Sequence, residues 1–160
     1  MGIGENLRSS TGTLPGRKIM LVLGGLRRGG TERQACLLSS GLAQLGWEVS
    51  LVVLSAEKPE ERDELKSGLF QVVYLFERRM RNRLGRLLQL FLIPTRLRGA
   101  MKRFRPDIVY SLLELTNFFA AAALPGREGS ALVWGFRNSD VPLFGFRRFA
   151  RELCRLLDGM

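Results

Sequence analysis

Five short apolar runs punctuate the chain: Lys18–Leu23 (KIMLVL), Glu48–Ser55 (EVSLVVLS), Leu69–Phe76 (LFQVVYLF), Asp107–Leu112 (DIVYSL) and Ala131–Phe136 (ALVWGF). Continuous rather than alternating apolarity is the mark of strands covered on both faces. Between the runs the apolar spacing turns helical. Ala35, Leu38, Leu42 and Leu45 share one face; so do Leu84, Leu87, Leu88 and Phe91, and then Leu97, Met101 and Phe104. An alanine-rich helix is expected over Phe118–Leu124, opened by Thr116 and Asn117 and stopped by Pro125-Gly126. A last helix is expected over Phe146–Leu157, with Phe149, Leu153, Leu156 and Leu157 inside. The stretch Ala56–Gly68 is charged and reads as a loop with a short helix. Strand and helix alternate, which predicts an α/β fold: a parallel sheet of about five strands with helices on both faces.

The most informative stretch is Lys18–Leu45. A buried strand runs straight into Gly24-Gly25-Leu26-Arg27-Arg28-Gly29-Gly30, with four glycines in seven positions. Thr31 is the expected N-cap and Gln34 completes a capping box; Glu32 lies where the helix dipole favours a carboxylate. Gly46 is the expected stop. Strand, glycine loop and helix N-terminus together form a geometry suited to anions. The dinucleotide fingerprint would need glycine in place of Leu26, and the P-loop would need lysine in place of Thr31. The loop therefore fits either a ligand cradle or a tight packing turn. Downstream, Pro94 interrupts a long helical pattern, so two helices or one sharply kinked helix are expected there.

Composition narrows the chemistry. The 160 residues suit one core-bearing domain behind a polar tail over residues 1–17. No histidine is present, which excludes a Ser-His-Asp hydrolase and any metal site built on imidazole. Cys36 and Cys154 both fall in expected helices and read as free thiols of a reducing compartment. With no signal-like segment at Met1–Gly16, a cytoplasmic location is expected. The net charge of +10 is local: Arg78–Arg105 holds ten of the 25 basic residues and none of the 15 acids. The remainder is neutral, so the charge describes one surface.

In a doubly wound sheet, ligands sit beyond the carboxyl ends of the strands where strand order reverses. The glycine loop, the loop around Asn117 and the polar loop Arg137-Asn138-Ser139-Asp140 all fall on that edge. Their convergence predicts one site.

The residues now in view carry a resemblance. Gly29-Gly30-Thr31-Glu32-Arg33, Gly46-Trp47-Glu48-Val49 and Arg105-Pro106-Asp107-Ile108-Val109-Tyr110 resemble, in this order and spacing, the start of glycosyltransferase family 4 proteins. The similarity runs from about Lys18 to the end. It implies the Rossmann-like first half of a GT-B fold, acting in retaining sugar transfer from a nucleotide-sugar donor to a glycan or lipid-linked acceptor, with no metal and no other cofactor. On that likeness the backbone amides of Gly29 and Gly30 approach donor phosphates or the transferred sugar, Thr31 and Glu32 are substrate-binding residues of the same loop (Glu32 otherwise a helix-start charge only), and Asn117, Arg137 and Asn138 line the acceptor side. Arg137 could offset leaving-group charge. The catalytic histidine of many members has no counterpart, so no acid–base role carries over. The donor-binding second domain would have to come from elsewhere, and the chain alone is expected to be inactive. A nucleotide-binding or regulatory module without catalysis is the alternative.

For the basic segment, contact with an anionic membrane through Arg83, Arg86, Arg96, Arg98, Lys102 and Arg103 is preferred to a merely solvated face, giving a peripheral location on the inner membrane face. Nucleic acid is disfavoured, because Phe91 and Phe104 are expected to point inward and leave no stacking platform. Trp47 and Trp134 are expected to be core or half-buried rings. Glu114 reads equally as loop surface or cleft carboxylate.

Overall fold

A computed structural model describes residues 16–26, 29–55, 68–76, 82–124 and 129–136, with the Arg83 side chain excepted. The expected tail up to residue 15, the Ala56–Gly68 loop up to residue 67, the Pro125-Gly126 stop, Arg78, Arg79, Arg81, Arg137, Asn138, Cys154 and the last helix fall outside the described residues.

The five expected strands are present: β1 (Lys18–Leu23), β2 (Glu48–Val53), β3 (Gln71–Tyr74), β4 (Ile108–Leu112) and β5 (Ala131–Gly135). All pairings are parallel, in the order β3-β2-β1-β4-β5. Three helices are described: α1 (Gly30–Gln44), α2 (Arg83–Phe104) and α3 (Glu114–Ala123). One apolar cluster joins Met20, Val22, Val52 and Val109 to Ile93, Leu97 and Met101 of α2 and Phe119 of α3. The other joins Ile19, Leu21, Leu51 and Val53 to Ala35 and Cys36 of α1. Strand residues of alternate parity thus feed opposite faces, and helices cover both. The fold is the expected Rossmann-like one.

One short turn aligns three strand starts. Asp107 donates its backbone N–H to Lys18 O at 2.8 Å, and its carboxylate accepts from Lys18 N–H at 2.7 Å. Its carbonyl accepts from Ala131 N–H at 2.8 Å, and Ser130 Oγ donates to Pro106 O at 2.6 Å. The Arg-Pro-Asp element is therefore a structural clasp across β1, β4 and β5.

Several local expectations shift. Helix α1 starts at Gly30 with Gly29 as an N-cap lacking a side-chain bond, so Thr31 lies inside the first turn. The first helical bond, Arg33 N–H to Gly29 O at 3.2 Å, sets that start. The inner face is Ala35, Cys36 and Ser39, while Leu38 and Leu45 are 40% and 73% exposed. Small residues let the helix approach the sheet, and the leucines flank the contact. The stop is as expected: Gly46 has φ +85°, donating to Ala43 O while Trp47 donates to Leu42 O, a Schellman closure.

Helix α2 is single and continuous, with Pro94 inside it. An interior proline costs about 3 kcal/mol. Burial of Ile93, Leu97, Ala100 and Met101 offsets that cost, since each fully buried aliphatic side chain contributes about 2 kcal/mol. Phe91 was expected inside and is 77% exposed; Leu84 and Leu88 are also exposed. Phe104 is half-buried, with Lys18 Nζ 5.5 Å from its ring. Helix α3 begins at Glu114, so Thr116 and Asn117 lie within its first turn and are buried. Trp47 is half-buried under Arg17; Trp134 on edge strand β5 is 47% exposed and meets Phe136 edge-on.

Arg96 ties α2 to the end of β3. Its Nη1 donates to Leu75 O at 2.6 Å and its guanidinium stands 4.4 Å from the Phe76 ring. Two stability changes follow. Gly46→Ala should cost about 1 kcal/mol in urea unfolding, because a Cβ disfavours left-handed backbone. Arg96→Met should cost about 1.5 kcal/mol, from a charged hydrogen bond and a cation–π contact. An Arg96→Met chain as stable as the parent would return this cation to the freely solvated surface.

Candidate functional site

Strand order reverses at β1. Its crossover through α1 leads to β2 on one side, while β4 lies on the other. The carboxyl ends of β1 and β4 therefore diverge into a crevice, and the loops that leave them form its walls.

The β1 wall is Gly24-Gly25-Leu26. Leu26 is 1% exposed and packs in the α1-side cluster. That is the physical reason leucine stands where a dinucleotide fingerprint has glycine. Ser55 N–H, after β2, donates to Gly24 O at 3.0 Å and holds the loop down. Thr116 of α3 faces this loop, for a Cβ at Gly24 would lie 3.9 Å from its Oγ1, an ordinary contact.

At the N-terminus of α1 the two glycines differ. A Cβ at Gly29 would overlap the Glu32 carboxylate, whereas one at Gly30 would meet open space. Glu32 thus folds back over the first turn, where the unpaired N–H groups and the dipole favour negative charge. Gly30 is the exposed approach. Thr31 is half-buried between them in sequence.

The β4 wall is a strained turn. Leu113 has φ +78° and ψ 153°, a region that side chains avoid at a cost of about 1–3 kcal/mol. Asn117 supports it. Its side-chain amide lies 2.7 Å from Ser111 Oγ. With the nitrogen inward it donates to Ser111 Oγ, Ser111 O and Leu113 O at 2.7, 2.8 and 3.3 Å. The Ser111 hydroxyl then donates to Val133 O at 3.5 Å. The opposite amide orientation would set oxygen against two carbonyls, so the nitrogen-inward one is adopted. Asn117 is 2% exposed; its amide is spent holding β4, Leu113 and α3 together. Glu114, the first residue of α3, is half-buried.

The sequence pointed to three loops, and the structure brings two of them together. The glycine loop and the Asn117 turn flank the crevice. Arg137 and Asn138 lie outside the described residues, but β5 ends on the same rim, with Leu113 N–H donating to Gly135 O at 3.0 Å. Sequence reasoning missed Leu113, because nothing in a leucine's identity announces left-handed backbone. It also missed Thr116 as the side chain facing Gly24. Of the basic residues grouped for membrane or phosphate contact, Arg96, Arg98, Lys102 and Arg103 are exposed on α2, and Arg96 also reaches Leu75 and Phe76.

Tyr74 closes β3 at this rim, and its hydroxyl pKa is raised, by burial first and by Cys36 second. Among the described residues no cluster of three or more Cys, Asp or Glu could hold a metal ion, and no helix is long and apolar enough to cross a membrane. A cleft of about 570 Å³ opens on the opposite edge of the sheet, lined by Met101, Lys102, Arg105, Leu124 and Ser130. The α2 and α3 C-termini meet there, and cations at helix C-termini are explained by the dipoles. It is remote from the crevice.

Similarity to known proteins agrees with this geometry. None of the curated proteins matches the chain. Among solved structures, MurG of Acinetobacter baumannii is 16% identical, with a TM-score of 0.57 over 89% of this chain and 40% of that one. A glycosyltransferase from Rickettsia africae ESF-5 is 15% identical, with a TM-score of 0.55 over 91% of this chain and 35% of its own. A sucrose-phosphate synthase from Thermosynechococcus elongatus is 15% identical, with a TM-score of 0.53 over 74% and 32%. At these identities the likeness is one of fold, and the chain spans well under half the length of each. The model of Glycosyltransferase Family 4 matches residues 28–158. The chain belongs to glycosyltransferase family 4.

Proposed function

We propose that this chain is the acceptor-binding half of a retaining glycosyltransferase that draws on a nucleotide-sugar donor without a metal, and that it does not catalyse transfer alone. The observation that supports this best is the crevice between β1 and β4, beside a chain that the family model matches from residue 28 onward, through Gly29, Gly30 and Glu32. A cleft that holds a sugar acceptor needs hydroxyl partners on a rigid frame. Glu32 supplies a carboxylate acceptor at the rim, and Gly30 leaves room for a ligand to reach backbone N–H groups. Because Glu32 already occupies the anionic position over the first turn of α1, the sugar is the better partner for this loop than the donor phosphates. Asn117 acts as frame, setting the turn at Leu113, and Arg137 and Asn138 extend the acceptor side. The chain works on the inner face of a membrane on a glycan or lipid-linked acceptor.

The competing reading is a nucleotide-binding or regulatory module without catalysis. Calorimetry and turnover separate the two. Titration of the chain with UDP and with GDP should give no heat of binding up to about 1 mM, which corresponds to about 4 kcal/mol. UDP- and GDP-sugars should be released at the uncatalysed rate. Micromolar binding of either nucleotide would favour the binding module, and turnover by the chain alone would overturn the half-enzyme assignment.

A further inference from the structure

Strand β5 carries two large rings that the core does not use. Its register on β4 pairs Val133 with Tyr110, Trp134 with Ser111 and Gly135 with Leu112. Tyr110 and Leu112 face α1, so Leu132 and Trp134 face the other way, toward α3. Phe136 stays on that side, its ring 6.2 Å from Trp134 at 73°. Exposure on this face rises toward the carboxyl end of the strand. Leu132 is half-buried against the core, whereas Trp134 and Phe136 are 47% and 54% exposed.

The pair adjoins the crevice. Gly135, which lies between the two rings in sequence, accepts a hydrogen bond from Leu113 N–H, the strained residue of the β4 wall. The crevice lies between β1 and β4, and β5 is the next strand out. At the usual strand spacing its midline is about 7 Å from β5. The second ring of an oligosaccharide spans that distance.

The chemistry of the pair narrows the occupant. Two rings set edge to face form a corner with one flat wall, and among the described residues no hydrogen bond occupies the indole N–H of Trp134. Its neighbour on β4 is Ser111, whose hydroxyl is engaged by Asn117. An apolar plate with a free donor at its edge suits a ligand that has a C–H face and a rim of hydroxyls. A pyranose has both. A nucleobase would also stack, but it brings phosphates, and the described cation–ring contacts are at Trp47, Phe104 and Phe76, not here.

We propose that Trp134 and Phe136 form an oligosaccharide subsite on the rim of the crevice. The acceptor ring next to the one in the crevice lays its C–H face on Trp134. The indole N–H donates to one of its hydroxyls, and Phe136 closes the side. This rests on the acceptor-half reading and specifies its substrate class: an acceptor of two or more sugar rings.

Tryptophan emission tests it, because the chain has only two tryptophans and Trp47→Phe leaves Trp134 as the reporter. In the free Trp47→Phe chain, acrylamide should quench Trp134 readily. Maltotriose, cellotriose and N-acetylchitotriose are the probes. At least one should move the emission to the blue and protect it from acrylamide, binding at least about fivefold tighter than its own monosaccharide. Phe136→Ala should weaken that binding by about threefold. Saturation-transfer NMR on the chain with both tryptophans should show transfer to the same trisaccharide, lost in Trp134→Leu with unchanged circular dichroism. A Trp134 already shielded in the free chain would overturn the subsite, since the ring would then be covered by protein. So would silence with all three trisaccharides, equal affinity for the monosaccharide, or protection of Trp134 by UDP or GDP instead of sugar. Silent nucleotide titrations beside an unresponsive Trp134 would remove the subsite and leave the acceptor half standing. Nucleotide binding that leaves Trp134 untouched, with sugar protecting it, would do the reverse.

Discussion

The handedness of parallel crossovers is the constraint from which the site follows. A strand–helix–strand connection within one sheet is right-handed almost without exception. Winding from β1 through α1 to β2 places α1 on one face; winding through α2 to β4 and α3 to β5 places those helices on the other. Strand β1 must then be buried on both sides, and its residues Met20–Leu23 are at most 1% exposed. The reversal at β1 opens a crevice at its carboxyl end. A catalytic side chain need not be specified for that crevice to exist; it is a consequence of chirality and of the order of five apolar runs.

The crevice has to be held open, and the two ends of the sheet do so by different means. At the amino edge, Asp107 uses its N–H, carbonyl and carboxylate to align β1, β4 and β5. With register fixed there, the strands end at fixed heights on the opposite rim. At that rim, Leu113 is kept in left-handed backbone by the buried amide of Asn117. A conformation costing about 1–3 kcal/mol persists only where its surroundings over-determine it. The two N–H groups of one buried amide, shared among three oxygens and contributing about 1 kcal/mol each, are of the size required. The turn is thus a fixed wall, and Thr116 stands against Gly24 because of it.

How much of this could be read from the chain differs by level. The strands were legible because KIMLVL, EVSLVV and DIVYSL are continuous apolar runs, and a doubly covered parallel strand has no other signature. The Gly46 stop was legible because only glycine takes that backbone freely. The face of α1 was misjudged because Leu38 and Leu45 weigh more in a periodic pattern than Ala35, Cys36 and Ser39, yet close helix–sheet contact selects small residues. The start of α3 was placed too late because Asn117 has the chemistry of a cap; the structure uses that same chemistry inside the helix, on carbonyls of the preceding strand. Phe91 was placed inside because hydrophobicity was equated with burial. The pattern gives the angle of a residue around its helix and is silent on whether the sheet extends that far along the axis.

That last distinction also decides what the positive charge means. Ten basic residues without an acid look uniform in the sequence. In the structure, those described on α2 divide according to what lies beneath each part of the helix. Over the sheet, Arg96 is drawn onto a carbonyl and a ring at the end of β3, and Lys102 lies in the last helical turn, where cations meet the negative end of the dipole. Toward the helix N-terminus, Leu84, Leu88 and Phe91 stand exposed among the described residues, while Leu90 still packs on the core. The length mismatch between helix and strand converts one amphipathic sequence into two surfaces, an inner one that closes the core and an outer one that is exposed among the described residues.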